Sequence, residues 1–237
     1  MVIKINNMYN FNNKKYSLVK EMAYTGEISD IAYLRKKAGN RVFIYQDKLD
    51  RNIGYRIYQD SNVINYNPAT HLEEANLIQK LHEYGKNVKK TIFPYGVVTK
   101  NGNVIGQAMP YYYNEISLTD AARDGNNLYT LFLEALDLIK ELYDNGIIYI
   151  DIHGGNFLLT PTGLKLIDFE KEAIAFKDED MADIAEGQMI LDFVNMVKKV
   201  TYFKALSVIP NITKVQNLCD LEQELLLGEA LTLKKTL

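Results

Sequence analysis

A short stretch in the second half of the chain places two adjacent glycines between apolar, β-forming runs. Residues 149–159 read YIDIHGGNFLL, and the pattern predicts strands over 147–151 and 156–160. A turn at Pro161-Thr162-Gly163 leads to a third predicted strand over 164–169. Helical patterns lie on both sides of this β segment. The second half is therefore predicted to combine helices with a small antiparallel hairpin.

The predicted helices of this half cover residues 127–145, 181–203 and 215–231. Apolar residues recur at helical spacing along one broad face of the first helix. They are Leu128, Leu131, Phe132, Ala135, Leu136, Ile139 and Leu142. Gly146 stands where a glycine commonly follows the last helical turn.

The first half is mostly β. Tyr-rich apolar runs predict an antiparallel meander with strands over 30–35, 41–46 and 53–58. Two further strands are predicted around 92–99 and 104–113, with Asn101-Gly102 as a hairpin signal between them. The change from β to helix predicts an N-terminal lobe over 1–113 and a C-terminal lobe over 114–237. The fold class is predicted as α+β and bilobal.

One helix interrupts the strands of the first half. Thr70 and Glu73 have the spacing of a capping box, which predicts the start of the helix at this point. Leu72, Ala75, Ile78 and Leu81 then repeat at helical spacing up to Gly85. Glu74 lies at the edge of the apolar stripe. A carboxylate that points inward from there requires a cationic partner.

Composition excludes several classes of protein. The 237 residues carry a net charge of −3, which argues against a strongly basic nucleic-acid binder. The single cysteine, Cys219, allows neither an internal disulfide nor a cysteine-based zinc site. Without a long apolar run or a secretory signal pattern, we expect no membrane span and a cytoplasmic location. A chain exported by a specialised secretion machine into a host cell would have the same features.

Three polar residues surround the glycine pair. Asp151 and Asn156 flank the loop, and Asp168 ends the strand that pairs back across the hairpin. We expect their three side chains to lie close together at one end of the hairpin. A carboxylate and a carboxamide oxygen suit Mg²⁺, and phosphate and water oxygens would complete its coordination shell. A second carboxylate can orient a hydroxyl and accept its proton, as phosphoryl transfer requires.

These residues resemble motifs of the protein-kinase-like superfamily. The spacing from Asp151 to Asn156 is similar to its catalytic loop, here over 149–159. Asp168-Phe169 is similar to the start of its metal-binding motif, here over 166–170. The order of elements also agrees, and the resemblance covers roughly residues 25–200. It implies ATP and Mg²⁺ as cofactors.

The resemblance also implies roles for individual residues. Asp151 would be the catalytic base, and Asn156 and Asp168 would hold Mg²⁺. Glu74 would be the helix glutamate that pairs with a strand cation. The remaining implied contacts are with adenine, and they fall on Met109 as gatekeeper and on the backbones of Pro110 and Tyr112.

The chain departs from the family in its first half. The third strand of the family carries a lysine, and Arg56 stands at that position. Arginine keeps the charge, and its planar fork can bind phosphate and carboxylate together. If the predicted second strand is the family's third, Lys48 becomes the phosphate-contacting residue instead. The glycine-rich pattern is also absent, and Gly39 and Gly26 offer competing registers for that loop.

The catalytic loop departs as well. Tyr149 and Ile150 replace the usual His-Arg pair, His153 follows Asp151 by two residues, and Glu170 replaces a glycine. These features resemble aminoglycoside and choline kinases. His153 would either contact the γ-phosphate or brace the loop.

The chain after Glu170 is short and lacks an Ala-Pro-Glu motif. The resemblance therefore implies a small atypical Ser/Thr protein kinase of bacterial or effector type, with a reduced C-terminal lobe and a protein substrate. A small-molecule kinase of the aminoglycoside or choline type is one alternative, and a pseudokinase that acts as a binding module is another. The sequence makes no prediction of oligomeric state.

Overall fold

Strands and helices are both present in the computed structural model, which confirms the α+β class. It describes residues 2–4, 8–11, 14–17, 21–24, 32–38, 42–58, 68–100, 103–112, 115–123, 128–202 and 214–236. The chain divides into two compact units. The first is Met1–Glu83 with Ile92–Tyr112, and the second is Tyr84–Thr91 with Tyr113–Leu237.

The first unit consists of strands and one long helix in the described part of the chain. In chain order these are β1 (Val2–Lys4), β2 (Met8–Phe11), β3 (Lys14–Ser17), β4 (Glu21–Tyr24), β5 (Ala32–Ala38), β6 (Val42–Asp47), β7 (Ile53–Tyr58), α1 (Pro68–Tyr84), β8 (Gly96–Lys100) and β9 (Asn103–Pro110). The order of strands in the main sheet is β1-β4-β8-β9-β7-β6-β5. Its neighbours are antiparallel except β4 and β8, which are parallel. Strands β2 and β3 form a separate hairpin.

The predicted meander corresponds to β5, β6 and β7, which pair antiparallel in that order. Strands β8 and β9 form the predicted hairpin. Lys100 pairs with Asn103, and Asn101 and Gly102 between them lie outside the described residues. Gly26 and Gly39 also lie outside them, so the register of the phosphate loop predicted for the first half stays open.

Both faces of the main sheet carry buried apolar residues. Tyr55, Ile57, Val98 and Ala108 form a cluster on one face, and Val97 packs against Ile78 of α1 on the other. The helix starts at Pro68, so Thr70 lies in its first turn and not at its cap. A cap at Thr70 would start the helix at residue 71, so the predicted start was wrong by three residues. Proline is well tolerated at the first helical position.

The second unit is mainly helical. Its elements are β10 (Ile116–Ser117), α2 (Leu118–Arg123), α3 (Leu128–Asp144), β11 (Ile147–Tyr149), β12 (Phe157–Thr160), β13 (Gly163–Leu166), β14 (Ile174–Phe176), α4 (Ala182–Tyr202) and α5 (Leu218–Thr236). The whole predicted apolar face of α3 is buried. Gly146 has φ of +83° just after the helix, as predicted for a glycine that ends it.

Two small β elements of this unit position residues 150–156, which contain Gly154 and Gly155 and form the glycine loop. Strand β12 pairs with β13 as the predicted hairpin, and β10 joins it on the other side of β12. Strand β11 pairs with β14, which the sequence analysis did not predict. The strands are shorter than predicted: β11 ends at Tyr149, β12 begins at Phe157, and β13 ends at Leu166. Asp151, Asn156 and Asp168 therefore all lie in loops beside strand ends.

In the described part of the chain, no helix is both long and apolar enough to cross a bilayer.

Candidate functional site

The loop between β11 and β12 is held by its own backbone and by its neighbours. Asn156 N donates to the His153 carbonyl at 3.0 Å, and Ile167 N donates to the Asn156 carbonyl at 3.0 Å. Thr119 N of α2 reaches the Gly154 carbonyl at 3.4 Å. A Cβ on Gly154 would overlap the Thr119 hydroxyl oxygen. This close approach explains why glycine stands at residue 154.

Asn156 ties the two ends of the loop together. Its side chain is 4% exposed, and Nδ2 lies 3.0 Å from the Asp151 carbonyl and 2.8 Å from Asp151 Oδ2. Nδ2 also donates to the Tyr149 hydroxyl at 2.9 Å. Only the nitrogen of the carboxamide can donate to these oxygens, so they settle its orientation. The carboxamide oxygen, Oδ1, is consequently the atom left for a cation.

Tyr149 is the residue that the sequence analysis missed. It is completely buried. Its hydroxyl donates to the Ile167 carbonyl at 2.9 Å and lies 3.5 Å from the Asp168 carbonyl. Its ring meets Phe169 edge to face at 5.7 Å between centroids. Tyr149 therefore joins Asn156 to the segment that carries Asp168.

Burial and nearby negative charges keep Tyr149 neutral. Burial, and then the nearby charges of Asp168 and Asp151, raise the pKa of Tyr149 well above its usual value. The hydroxyl thus keeps its proton for the bond to Ile167 at any physiological pH. The signal in the sequence was a tyrosine within an apolar strand, two residues before Asp151.

Asp168 has an unusual backbone. Its φ of +70° is the only positive value at a non-glycine residue in the described part of the chain. The left-handed conformation costs an L-residue roughly 1–2 kcal/mol, and aspartate tolerates it better than most. Such outliers concentrate at functional sites, because surrounding structure must hold them in place. Here the Glu170 N–H donates to the Asp168 carbonyl at 3.1 Å.

Asp151 is accessible. Its side chain is 51% exposed, and its Oδ2 lies 3.6 Å from His153 Nε2. His153 Nδ1 accepts a hydrogen bond of 3.1 Å from the Gly155 N–H. A neutral His153 therefore carries its proton on Nε2, the nitrogen that is near Asp151. Of the two roles predicted for His153, this contact supports bracing of the loop.

Arg56 is positioned by the register of the main sheet. It pairs with Gln107, which pairs with Val97, and side chains of paired residues share one face. Val97 packs against Ile78 of α1, so Arg56 lies on the sheet face that carries the helix. Glu74 precedes Ile78 by about one turn, although its side chain lies outside the described residues. This arrangement is compatible with the predicted cation and glutamate pair.

Lys48, the alternative to Arg56, is in a different setting. It is exposed in the turn after β6. Its Nζ lies 5.1 Å from the centroid of the Tyr33 ring, within the range of a cation–π contact. Lys48 is therefore placed on a surface turn, whereas Arg56 is placed on a central strand.

The three residues predicted to contact adenine lie at the end of β9. Met109 pairs with Gly54, and Pro110 with Ile53. The Tyr111 N–H donates to the Asn52 carbonyl at 2.8 Å, which fastens the chain where it leaves the strand. Tyr112 follows, and burial raises its pKa to about 12. Met109 and Pro110 thus end an interior strand of the main sheet, and Tyr112 lies two residues beyond it.

The residues of the loop suit a magnesium ion bound with phosphate. The described residues contain no group of three or more His, Cys, Asp or Glu side chains arranged for a metal. Mg²⁺ commonly takes only one or two protein oxygens and completes its shell with water and phosphate. Asn156 Oδ1 and the Asp168 carboxylate are donors of that kind, and their donor chemistry fits Mg²⁺.

Comparison with known proteins assigns the chain to no family. The chain matches no protein-family model and no curated protein. The case for a function therefore depends on the site residues themselves.

Proposed function

We propose that this chain is an ATP-dependent phosphotransferase that uses Mg²⁺ and transfers the γ-phosphoryl group to a hydroxyl of a protein. The observation that supports it is the network centred on Tyr149. The buried Tyr149 hydroxyl accepts a hydrogen bond from Asn156 Nδ2 and donates one to the carbonyl of Ile167, the residue before Asp168. Asn156 Nδ2 also donates to Asp151 Oδ2, which connects Asp151 to the same network. Two oxygen ligands and one accessible carboxylate are then held on adjacent loops, which is what phosphoryl transfer needs from a protein.

In this proposal Asp151 accepts the proton of the acceptor hydroxyl. As the hydroxyl oxygen bonds to the γ-phosphorus, the bond from that phosphorus to the β,γ-bridging oxygen breaks and ADP leaves with that oxygen. Mg²⁺, when bound, neutralises phosphate charge during this transfer. Asn156 Oδ1 and Asp168 would hold the ion. Asp151 suits the role of base because it is half exposed and its carboxylate is oriented by Asn156 Nδ2.

The remaining assignments are part of the same proposal. Arg56 and Glu74 would act on the phosphates, and Met109, Pro110 and Tyr112 on adenine. They rest on the resemblance to protein kinases, on the places of Arg56, Met109 and Pro110 in the main sheet, and on the packing of α1 against that sheet. The acceptor class, a protein serine or threonine, rests on the resemblance alone.

Calorimetry of ATP binding with and without Mg²⁺ tests the proposal first. We expect the wild type to bind ATP only with Mg²⁺, and Asp168→Ala to lose that binding. Asp151→Asn should retain ATP binding and lose phosphoryl transfer, because it removes the base and keeps the shape. Glu172→Gln, an exposed acid on a neighbouring turn, is the matched control. Mg²⁺-independent binding, or full transfer by Asp151→Asn, would reject the proposed chemistry.

A further inference from the structure

The outer face of α4 presents large apolar side chains to solvent. Met181, Ile184 and Leu191 are 59%, 65% and 52% exposed. Residues seven apart differ by only about 20° around a helix, so Ile184 and Leu191 lie on one face. Met181 immediately precedes the first turn of the helix. Exposed apolar residues grouped in this way commonly mark an interaction surface.

The middle of this face has a hollow. Gly187 lies between Ile184 and Leu191 and is exposed, and a Cβ placed on it would meet nothing within 4 Å. The missing side chain leaves a gap between two apolar side chains. A side chain of a second helix can fit such a gap, as ridges fit into grooves when helices pack. The shape of the face therefore suits another helix.

The exposed charges of the face are divided between its two ends. Asp180 and Asp183 are exposed where α4 begins, and Lys198 and Lys199 are exposed near its end. The face is therefore acidic at one end, apolar in the middle and basic at the other end.

The two remaining acids of α4 do not cancel this division. Glu186 is half-buried and accepts a hydrogen bond of 2.6 Å from the Tyr143 hydroxyl. Asp192 is half-buried near the middle of the helix and accepts one of 2.8 Å from Gln188. Asp192 lies seven residues before Lys199, which is about 10 Å along the helix axis. The charge of Lys199 thus stays at the basic end.

We infer that this face binds a second copy of the chain through an antiparallel pair of α4 helices. Ile184 of one copy packs against Leu191 of the other, around a twofold axis near Gly187. The acidic end of each helix then lies beside the basic end of the other. A parallel pair would bring equal charges together, and a partner of one charge sign would match only one end.

The size of the face predicts a weak dimer. Three side chains that are half to two-thirds exposed cover less than the ~800 Å² per partner of a standard interface. We therefore expect a dissociation constant of about 10–100 µM. The inference does not depend on the proposed function, because none of the residues proposed for phosphoryl transfer belongs to this face.

Sedimentation velocity of the full chain at about 5 µM and about 500 µM tests the inference. We expect the average mass of the wild type to rise from one chain towards two. Leu191→Glu should stay at one chain, because it places a charge in the apolar middle of the face. Leu49→Glu is the matched control, since Leu49 is 93% exposed in the first unit, and it should dimerise as the wild type does. A wild type that stays at one chain, or equal behaviour of the two variants, would overturn the inference.

Two charge-reversed variants test the antiparallel arrangement. Asp180→Lys with Asp183→Lys makes both ends basic, and Lys198→Glu with Lys199→Glu makes both ends acidic. Each variant alone should stay at one chain at about 500 µM, because equal charges then face each other. An equimolar mixture should dimerise, since each variant supplies the charge that the other lacks, and this shows that both remain competent. If each variant alone dimerises as the wild type does, or if the mixture stays at one chain, the antiparallel pair is excluded.

Discussion

Asn156 Nδ2 donates a hydrogen bond of 2.9 Å to the hydroxyl of Tyr149, and both side chains are almost completely buried. The same hydroxyl donates to the Ile167 carbonyl, one residue before Asp168. The two residues proposed to hold Mg²⁺ are thus connected through one phenol. Any movement of Tyr149 would change both together.

Tyr149→Phe tests this connection. The variant keeps the ring against Phe169 and removes the hydroxyl, so Asn156 loses an acceptor and the Ile167 carbonyl loses its donor. Asn156 Nδ2 keeps its bonds to Asp151, whereas an unpaired Ile167 carbonyl costs roughly 1–3 kcal/mol. We expect urea denaturation to show a loss of unfolding free energy in that range. Calorimetry should also show weaker Mg²⁺-dependent binding of ATP.

Tyr143→Phe is the control for the loss of a hydroxyl. The Tyr143 hydroxyl donates to Glu186 Oε2 at 2.6 Å, and Tyr143 is only partly buried. Removing it should lower stability by less than about 1 kcal/mol and leave ATP binding unchanged. Equal effects of the two variants on ATP binding would show that Tyr149 does not position the site.

Much of the architecture could be predicted because it depends on local pattern. Strand β7 and helix α3 were predicted within one residue at each end, since alternation and helical spacing are strong in both. The left-handed Gly146 was predicted from its place after the helix. The β hairpin at the glycine loop followed from apolar runs and turn residues.

The rest depends on contacts between distant residues. Strand β14 has three residues and is held by pairing with β11, so no periodic pattern marks it. The start of α1 was misjudged because Thr70 and Glu73 have capping-box spacing although both lie within the helix. The role of Tyr149 requires the Ile167 carbonyl, 18 residues away, and the sequence shows only a tyrosine in a strand.

His153 offers a second prediction, on whether it braces the loop or contacts phosphate. Its Nδ1 accepts the Gly155 N–H, two residues on. An asparagine side chain can accept the same N–H in an Asx turn, so His153→Asn should preserve the loop. His153→Ala should not. We expect the phosphotransfer kcat of the asparagine variant to remain within about threefold of wild type, and that of the alanine variant to fall about tenfold.

The comparison of the two variants decides the role. If His153 contacts the γ-phosphate, the imidazole itself is required, and the asparagine and alanine variants should lose activity equally. Hydrogen exchange of the Gly155 amide gives an independent measurement. It should be faster than wild type in His153→Ala and unchanged in His153→Asn.

His82 predicts a pH dependence of stability. Burial lowers the pKa of its imidazole below the usual value near 6.5, partly opposed by its hydrogen bond to the Pro94 carbonyl at 2.8 Å. The unfolded chain therefore binds the proton more readily than the folded one. The unfolding free energy should fall as pH drops from 6.5 through the lower folded pKa.

Urea denaturation at about pH 7.5 and pH 5.5 measures this effect, with His82→Gln as the reference. Glutamine can still donate to the Pro94 carbonyl and does not titrate. The wild type should lose more stability than His82→Gln between the two pH values, even if the variant is less stable at both. An identical loss in the two proteins would show that His82 contributes nothing to the acid sensitivity.

Two helical glycines predict opposite effects of the same substitution. A Cβ on Gly228 of α5 would overlap the ring of Tyr129, which is 3% exposed and has little room to move. Gly187 of α4 is exposed, and a Cβ there would meet nothing within 4 Å.

Gly228→Ala should therefore destabilise the protein by roughly 1–3 kcal/mol through overpacking. Gly187→Ala should stabilise it by about 0.5–1 kcal/mol, because alanine has the higher helix propensity. Thermal and urea denaturation of both variants measures the difference, and a stabilising Gly228→Ala would mean that α5 does not pack on Tyr129 as the structure has it.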